Sequence, residues 1–320
     1  MTTSPTPTLP TPDAISAAHD RIAGYARRTP LLQADADLVP GVPVTFKLEF
    51  LQQSGSFKGR GAFNNLLSRE VPAAGVAAAS GGNHGAAVAL AAGRLGHRAR
   101  IFVPEISSPV KIAAIRSHGA EAVVGGARYA EAQAACDRYA AESGAMLVHP
   151  YDTAPTMAGA GTVAKEWEED QARMGLPALD TVLVAVGGGG LISGVATWWA
   201  GRVKVVGVEP EGSRCLHAAL AAGEPVDVPV ESIAADSLGA RRVGSLVFDV
   251  VKDKVSGVTL VGDDAIREAQ LRLWRQWRIA SEPGGAAALA ALTSGAYKPA
   301  RGERVGVLLC GGNVDPASLA

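Results

Sequence analysis

The chain has 320 residues, of which 48% are hydrophobic and 19% charged, and its formal net charge is −1 at pH 7. The composition provides ample material for a large core, and the balanced charge without long Lys/Arg runs excludes a nucleic-acid partner. Charges and glycines interrupt every apolar run before it reaches membrane-spanning length, so no membrane partner is expected.

Cys136, Cys215 and Cys310 are far apart and odd in number, which excludes a disulfide framework and favours a reducing cytoplasm. The N-terminal segment MTTSPTPTLPTP is rich in Pro and Thr and lacks the apolar run of a signal peptide. It predicts a short disordered tail.

Strand and helix patterns alternate through the rest of the chain. Strands are predicted at 42–50, 75–79, 98–104, 120–125, 145–150, 181–186, 203–210 and 304–310. Helices are predicted after the turn SGGNHG and at 108–119, 127–143, beyond Pro150 to about residue 170, and at 262–278. This alternation indicates an α/β protein.

Three strand–turn–helix units fit between residues 72 and 150, enough for a small parallel sheet of its own. We therefore predict two open, twisted parallel-sheet lobes with helices on both faces and the active site between them. In such sheets, ligands lie where strands end and helices begin. Four polar or Gly-rich turns occupy these places and are predicted to converge: 54–61, 80–85, 187–190 and 310–315.

Four successive glycines, Gly187, Gly188, Gly189 and Gly190, follow a predicted strand and open a helix. Without side chains, such a backbone can wrap an anion and aim its N–H groups at it, and the helix dipole adds to the attraction. The turn lacks the Lys-Ser/Thr pair of a Walker loop and the GxGxxG pattern of dinucleotide sites. It therefore predicts a phosphate site without identifying the ligand.

Lys58 stands among small residues in the segment SGSFKGRGA, just before a predicted helix. Most lysines are solvated surface charges, and this interpretation would suffice for Lys58 in isolation. A lysine held near a helix start and a phosphate site, however, is in a positive and partly dry environment. Such a setting lowers the pKa of the amine and favours imine chemistry.

Five motifs occur in order along the chain: SGSFKGRGA, SGGNHG, VGGGGLISG, SEPGGAAALAAL and LLCGGNVD. Together they resemble the fold-type-II pyridoxal-phosphate (PLP) enzymes, whose fold is that of the tryptophan synthase β-subunit. Within them, the closest resemblance is to the branch of serine/threonine dehydratases (threonine ammonia-lyases) and serine racemases. The resemblance implies a large cofactor-binding domain at 1–71 and 151–320, and a small domain with the substrate loop at 72–150.

The resemblance also implies roles for individual residues. Lys58 would carry the cofactor as a Schiff base and act in catalysis. The other cofactor contacts would be Phe57 beside the ring, Asn83 at the ring hydroxyl, Gly187 to Gly190 at the phosphate, Glu282 near the ring and Cys310 facing the pyridine nitrogen. The substrate carboxylate would be gripped by Ser80, Gly81, Asn83 and His84, largely through backbone N–H groups.

The implied reaction is α,β-elimination, which converts L-threonine or L-serine to a 2-oxo acid and ammonia. A thiol such as Cys310 does little to hold a positive ring nitrogen, which favours elimination over transamination. Racemases of this branch have a serine where Gly81 stands, so dehydration is preferred to racemisation. Serine racemase, 3-hydroxyaspartate dehydratase and a β-replacement synthase remain alternatives. A non-catalytic binding module is a further one, against which Lys58 argues.

Some relatives bind a divalent cation through a Glu, a backbone carbonyl and an Asp. Glu209 and Ser213 match the first two, but Cys215 stands at the third, and hard cations prefer oxygen ligands. No metal site is therefore predicted.

Ser237 replaces a glycine common in the family, which leaves the identity of the substrate open. The resemblance also implies a homodimer or homotetramer, and the sequence ends five residues after Asp315, so no C-terminal regulatory domain is expected.

Overall fold

The computed structural model describes residues 9–319. Its helices are α1 (Pro12–Ile22), α2 (Lys58–Leu67), α3 (Asn83–Leu95), α4 (Pro109–Ser117), α5 (Tyr129–Ser143), α6 (Ala154–Arg173), α7 (Gly190–Trp199), α8 (Cys215–Ala222), α9 (Ala235–Leu238), α10 (Ser245–Lys254), α11 (Asp263–Trp277) and α12 (Pro283–Thr293). Its strands are β1 (Leu31–Gln33), β2 (Val44–Lys47), β3 (Val76–Ala79), β4 (Ala99–Val103), β5 (Glu121–Val124), β6 (Met146–Leu147), β7 (Thr181–Ala185), β8 (Lys204–Pro210), β9 (Gly257–Val261) and β10 (Val305–Leu308). Across residues 9–319, no helix is long and apolar enough to cross a membrane.

The larger sheet has six strands in the order β1-β2-β10-β7-β8-β9. Its strands run parallel except at one edge, where β1 pairs antiparallel with β2 and Leu31 lies opposite Lys47. All residues of β7 and β10 are buried. Because successive side chains of a strand point to opposite faces, both faces of this sheet are covered.

The smaller sheet has four strands in the order β5-β4-β3-β6, and all of them run parallel. Its apolar core includes Val88, Ile101 and Ile115, contributed by α3, β4 and α4. The prediction of two parallel-sheet lobes is thus confirmed, but it did not include the two edge strands of the larger sheet, the antiparallel β1 and the parallel β9. The division of the chain at residues 72 and 150 stays a prediction.

The described part of the N-terminal segment departs from the prediction of a disordered tail. Residues 1–8 of that predicted tail lie outside the described residues. The remainder contains the start of α1 at Pro12, where the Thr11 hydroxyl accepts a hydrogen bond of 3.1 Å from the Ala14 N–H. A Thr followed by Pro is also a helix-starting pair, because Thr caps the free N–H groups and Pro fits the first turn.

Helix α2, which begins at Lys58, is anchored by buried ion pairs. Arg60 donates hydrogen bonds of 2.8 and 2.7 Å to the two carboxylate oxygens of Glu49, and one of 2.9 Å to Glu166. Lys47 of β2 donates to the same Glu166 oxygen at 2.7 Å. Burial alone would raise the pKa of Glu166, but the charges of Arg60 and Lys47 hold it at about 2. The start of α2 is therefore fixed relative to the larger sheet.

Candidate active site

The amine of Lys58 lies at the start of α2, where segments from both sheets meet. Its Nζ donates a hydrogen bond of 2.7 Å to the Pro150 carbonyl and lies 5.1 Å from the centre of the Phe57 ring. Burial lowers the pKa of Lys58 to about 8, although Cys310 and Glu282 act in the opposite direction. A substantial fraction of the amine is therefore neutral, and so nucleophilic, at mildly alkaline pH.

The turn 80–85 connects β3 to α3 and presents unpaired backbone donors. The Ser80 hydroxyl accepts a hydrogen bond of 3.1 Å from the Gly82 N–H, and Gly82, the residue that precedes α3, has no side chain to cap it. Within residues 9–319, the N–H groups of Gly81, Asn83 and His84 donate to no other group of the chain. Free N–H groups at a helix start form a binding place for an anion such as a carboxylate.

The imidazole of His84 points away from this anion-binding place. Burial, followed by the nearby Lys58 charge, lowers the pKa of His84 to about 3, so the ring is neutral. Its Nε2 lies 2.7 Å from the Val148 carbonyl and, since a carbonyl only accepts, carries the proton. The ring ties α3 to the segment after β6, and only the backbone N–H of His84 faces the anion-binding place.

Asn83 links three of the four predicted turns. Its Nδ2 donates to Glu282 at 2.6 Å, while its Oδ1 accepts a hydrogen bond of 2.7 Å from Asn313. Asn313 also donates to the Ser54 carbonyl at 2.9 Å. Burial raises the pKa of Glu282 to about 7, because the Asn83 hydrogen bond and the nearby lysines compensate only partly. Asn313 is a network residue that the sequence interpretation did not identify.

Cys310 follows β10 and lies beside the same network. Its Sγ lies 3.6 Å from the Gly284 carbonyl at the start of α12, and its own carbonyl accepts a hydrogen bond of 3.0 Å from the Phe57 N–H. Burial raises the pKa of Cys310 to about 12. The side chain is therefore a neutral thiol and places no negative charge next to Lys58.

The glycine turn between β7 and α7 is a tight cradle. A Cβ on Gly190 would lie 2.8 Å from the Tyr151 Cα, a Cβ on Gly188 would overlap the Tyr151 ring, and Gly189 has a φ of +88°. In the described part of the chain, the N–H groups of Gly187 to Gly190 donate to no other group. Unpaired donors at a helix start, in a space that a side chain would fill, suit a phosphate group.

Pro150 and Tyr151 connect the amine to this cradle, and the sequence interpretation missed both. Pro150 accepts the Lys58 hydrogen bond, and the next residue packs against Gly188. His149 holds the segment in place, because its Nδ1 accepts a hydrogen bond of 2.9 Å from the Asp152 N–H. The His-Pro pair predicted the end of a strand, but no sequence signal assigns a role to the carbonyl of Pro150.

Glu209, the residue weighed as a cation ligand, has partners inside the chain. Its two carboxylate oxygens accept hydrogen bonds of 2.8 Å each from the Leu216 and His217 N–H groups at the start of α8. The Cys215 thiol donates to the Gly187 carbonyl at 3.2 Å and so ties α8 to the glycine turn. These contacts give Glu209 and Cys215 structural roles, and the absence of a metal stays a prediction.

The donor set fits PLP, which needs an amine for its aldehyde and an anion site for its phosphate. A family model described as "Pyridoxal-phosphate dependent enzyme" matches residues 22–311. The chain belongs to this family. The protein is therefore PLP-dependent, as the five motifs implied, and its sheets are those of fold type II.

Several named proteins are similar to it over nearly the whole of this chain. Phenylserine dehydratase of Ralstonia pickettii is 40% identical over 100% of this chain and 98% of its own. L-threonine ammonia-lyase of Geobacter sulfurreducens is 38% identical over 96% of this chain and 76% of its own. The structure of maize serine racemase is 34% identical and has a TM-score of 0.90, covering 98% of this chain and 96% of its own.

Proposed function

We propose that this protein is a PLP-dependent dehydratase that removes water from a small 3-hydroxy amino acid, L-threonine and/or L-serine, and releases a 2-oxo acid and ammonia. The observation that carries this proposal is Lys58, a half-buried amine with a pKa of about 8, which reaches the segment that packs against the glycine cradle. Similarity to a dehydratase and to an ammonia-lyase over nearly the whole chain supports the same reaction.

The proposed site uses the residues that the family resemblance implies. The cofactor would be held by Phe57, Lys58, Asn83, Gly187, Gly188, Gly189, Gly190, Glu282 and Cys310, and the substrate by Ser80, Gly81, Asn83 and His84. The large domain at 1–71 and 151–320 would bind the cofactor, and the small domain at 72–150 would present the substrate loop.

When bound, PLP supplies an electron sink for negative charge at the substrate Cα. The N–H groups of Gly81 and Asn83 bind the substrate carboxylate and thereby orient the Cα–H bond toward Lys58. The neutral Nζ of Lys58 then accepts the Cα proton, for which a pKa of about 8 is well matched at mildly alkaline pH. The neutral thiol of Cys310 would leave the cofactor's ring nitrogen without a counter-charge, which favours elimination over other fates. The hydroxyl group would leave as water with the proton that Lys58 has taken up, and water would then hydrolyse the enamine product to the 2-oxo acid and ammonia.

A second substrate candidate is an aryl-substituted 3-hydroxy amino acid. The 40% identity to phenylserine dehydratase across the full chain favours it, and the reaction class is the same. Racemisation of serine is a weaker candidate, because Gly81 offers no hydroxyl group opposite Lys58. The proposed homodimer or homotetramer in the cytoplasm rests on the family resemblance, and light scattering tests the assembly.

A substrate panel with a lysine variant tests the proposal. The holoenzyme is incubated with L-threonine, L-serine, D-serine, threo-3-hydroxyaspartate and phenylserine, and 2-oxo acid, ammonia and the configuration of remaining substrate are measured. Lys58→Ala is expected to lose at least about 10³-fold in turnover, together with the visible absorption of the bound cofactor. The exposed Lys298→Ala is the control. Full turnover by Lys58→Ala, or D-serine formation as fast as pyruvate formation, would contradict the proposal.

A further inference from the structure

The space beside Gly81 is occupied by the side chain of Ser107. A Cβ added to Gly81 would overlap the Ser107 hydroxyl, and would lie 2.7 Å from the Ser107 Cβ and 3.2 Å from a methyl group of Val103. These separations are shorter than van der Waals contact. The Ser107 hydroxyl therefore stands where a side chain of residue 81 would begin.

The position of Ser107 is set by the turn between β4 and α4. Its N–H donates a hydrogen bond of 3.0 Å to the Pro104 carbonyl, and its side chain is half-buried. Among the hydrogen bonds of residues 9–319, none involves the Ser107 hydroxyl. An unpaired hydroxyl group thus lies beside Gly81, one of the residues of this turn whose N–H group is unpaired.

The same segment contacts helix α9, which packs against α12. Lys111, one turn further along, forms an ion pair with Asp236 of α9, and the Asp236 carbonyl lies 3.5 Å from the Cβ position of Gly82. Ser107 therefore lies at the junction of the two lobes, next to the turn that presents the free N–H groups.

We propose that Ser107 is a further substrate-binding residue whose hydroxyl donates to the carboxylate held by the N–H groups of Gly81 and Asn83. This inference rests on the proposed function, which supplies an amino-acid carboxylate at this turn. A carboxylate has about four acceptor positions, so it accommodates a hydroxyl donor in addition to two N–H groups. The hydroxyl that Gly81 lacks is thus provided from a different segment of the chain.

The contacts favour binding over proton transfer for this hydroxyl. A serine that moves protons needs an adjacent base. No basic side chain within residues 9–319 hydrogen-bonds to Ser107, and Lys111 is paired with Asp236. Ser107 is therefore expected to act on substrate affinity and not on racemisation.

The test compares Ser107→Ala with Ser108→Ala, its exposed neighbour in the same turn. Binding is measured by titrating the holoenzyme with L-alanine, which has the carboxylate and amine but no leaving group, and following the cofactor absorption. Ser107→Ala is expected to weaken L-alanine binding and to raise the KM for L-threonine by about tenfold, with kcat changed by less than about twofold. Ser108→Ala is expected to match the wild type in all three quantities.

Moving the hydroxyl back to residue 81 provides a second test. Gly81→Ser alone is expected to lower the melting temperature by roughly 2–6 °C, because its side chain overlaps Ser107. Combining it with Ser107→Gly is expected to restore both the melting temperature and the affinity for L-alanine.

Two results would overturn the inference. One is equal L-alanine affinity in the wild type and Ser107→Ala, and the other is a selective loss of D-serine formation in Ser107→Ala without a change in affinity. Failure of the proposed function has a different signature, since the wild type would then release no 2-oxo acid while the L-alanine titration still reports on Ser107.

Discussion

Glu282 makes the stability of the cofactor-free protein depend on pH. Burial raises the pKa of this carboxyl group from 4.5 to about 7 in the folded state. A carboxyl group whose pKa is raised by folding stabilises the folded protein fully at pH values below its pKa in the unfolded chain. This stabilisation is lost as the pH rises through its pKa in the folded protein. The free energy of unfolding is therefore expected to fall between about pH 5 and about pH 8, by up to about 3 kcal/mol from this group.

Glu282→Gln is expected to remove this contribution, because an amide does not ionise and can still accept the Asn83 hydrogen bond. Urea unfolding of both cofactor-free proteins across the same pH range measures it. The pKa of Glu209 is also raised to about 7 by burial, but Glu209 is present in both proteins, so the difference between the two curves isolates Glu282. Parallel curves would show that Glu282 does not titrate in this window.

At the residue scale, the sequence could predict groups whose chemistry is specific to a residue type. Lys58 and Asn83 belong to this class, since the motifs that contain them single them out and the structure gives both side chains partners from other segments, while their roles stay a prediction. The Pro150 carbonyl could not be predicted, because every residue has a carbonyl and only the folded chain shows which one Lys58 reaches. Ser107 could not be predicted either, since its proximity to Gly81 results from the turn after β4.

At the element scale, the glycine turn combines a packing constraint with a binding function. A methyl group on Gly188 would overlap the Tyr151 ring, so Gly188→Ala is expected to displace the turn and its N–H groups. Overpacking of this kind typically costs roughly 1–3 kcal/mol, and about 1.4 kcal/mol corresponds to a tenfold change in affinity. We therefore expect the affinity for PLP to fall at least about tenfold. Equilibrium titration of the cofactor-free variant with PLP measures the effect.

The matched control for this variant is Gly125→Ala. A Cβ on Gly125 has no atom within 4 Å, so the added methyl group meets open space. Its PLP affinity is expected to equal that of the wild type. Unchanged PLP affinity in Gly188→Ala would mean that the turn does not hold the phosphate group.

Elements with a strong periodic pattern were predictable, and short or edge elements were not. The apolar run of β7 and the amphipathic pattern of α11 indicated their types directly, because burial imposes those periods. Strand β1 has only three residues, none of them fully buried, so it produces no recognisable pattern. Its antiparallel pairing with β2 depends on the preceding chain path, which local sequence does not specify.

At the scale of the whole molecule, the alternation of strands and helices was sufficient to predict two parallel sheets. It could not predict how the sheets contact each other, because the residues that join them are far apart in the sequence. Some of these contacts are apolar, such as Phe63 of α2 in one cluster with Val88 of α3, and others are polar. The hydrogen bond of 2.6 Å from Asn83 to Glu282 spans 199 positions of the sequence. Such pairs are determined by the relative placement of the lobes and have no local signal.

The ion pair between Lys111 and Asp236 is expected to influence how the lobes close around substrate. It joins α4 to α9 across the site, with side chains that are 23% and 63% exposed. A pair so exposed contributes at most about 1 kcal/mol, so Asp236→Asn is expected to change the melting temperature little and to raise the KM for L-threonine by about threefold to fivefold. Salt screens exposed charges, so high ionic strength is expected to raise the wild-type KM toward that of the variant.

Asp227→Asn is the matched control for lobe closure. Asp227 is 64% exposed and pairs with Arg242 at 3.4 Å. Its substitution removes the same charge as Asp236→Asn, but the Asp227–Arg242 pair does not join the two lobes. Its KM and the salt dependence of that KM are expected to match the wild type. An equal rise in KM in both variants would assign the effect to net charge. If Asp236→Asn has the same KM as the wild type at low salt, the lobes close equally well without the ion pair, and the pair does not favour closure.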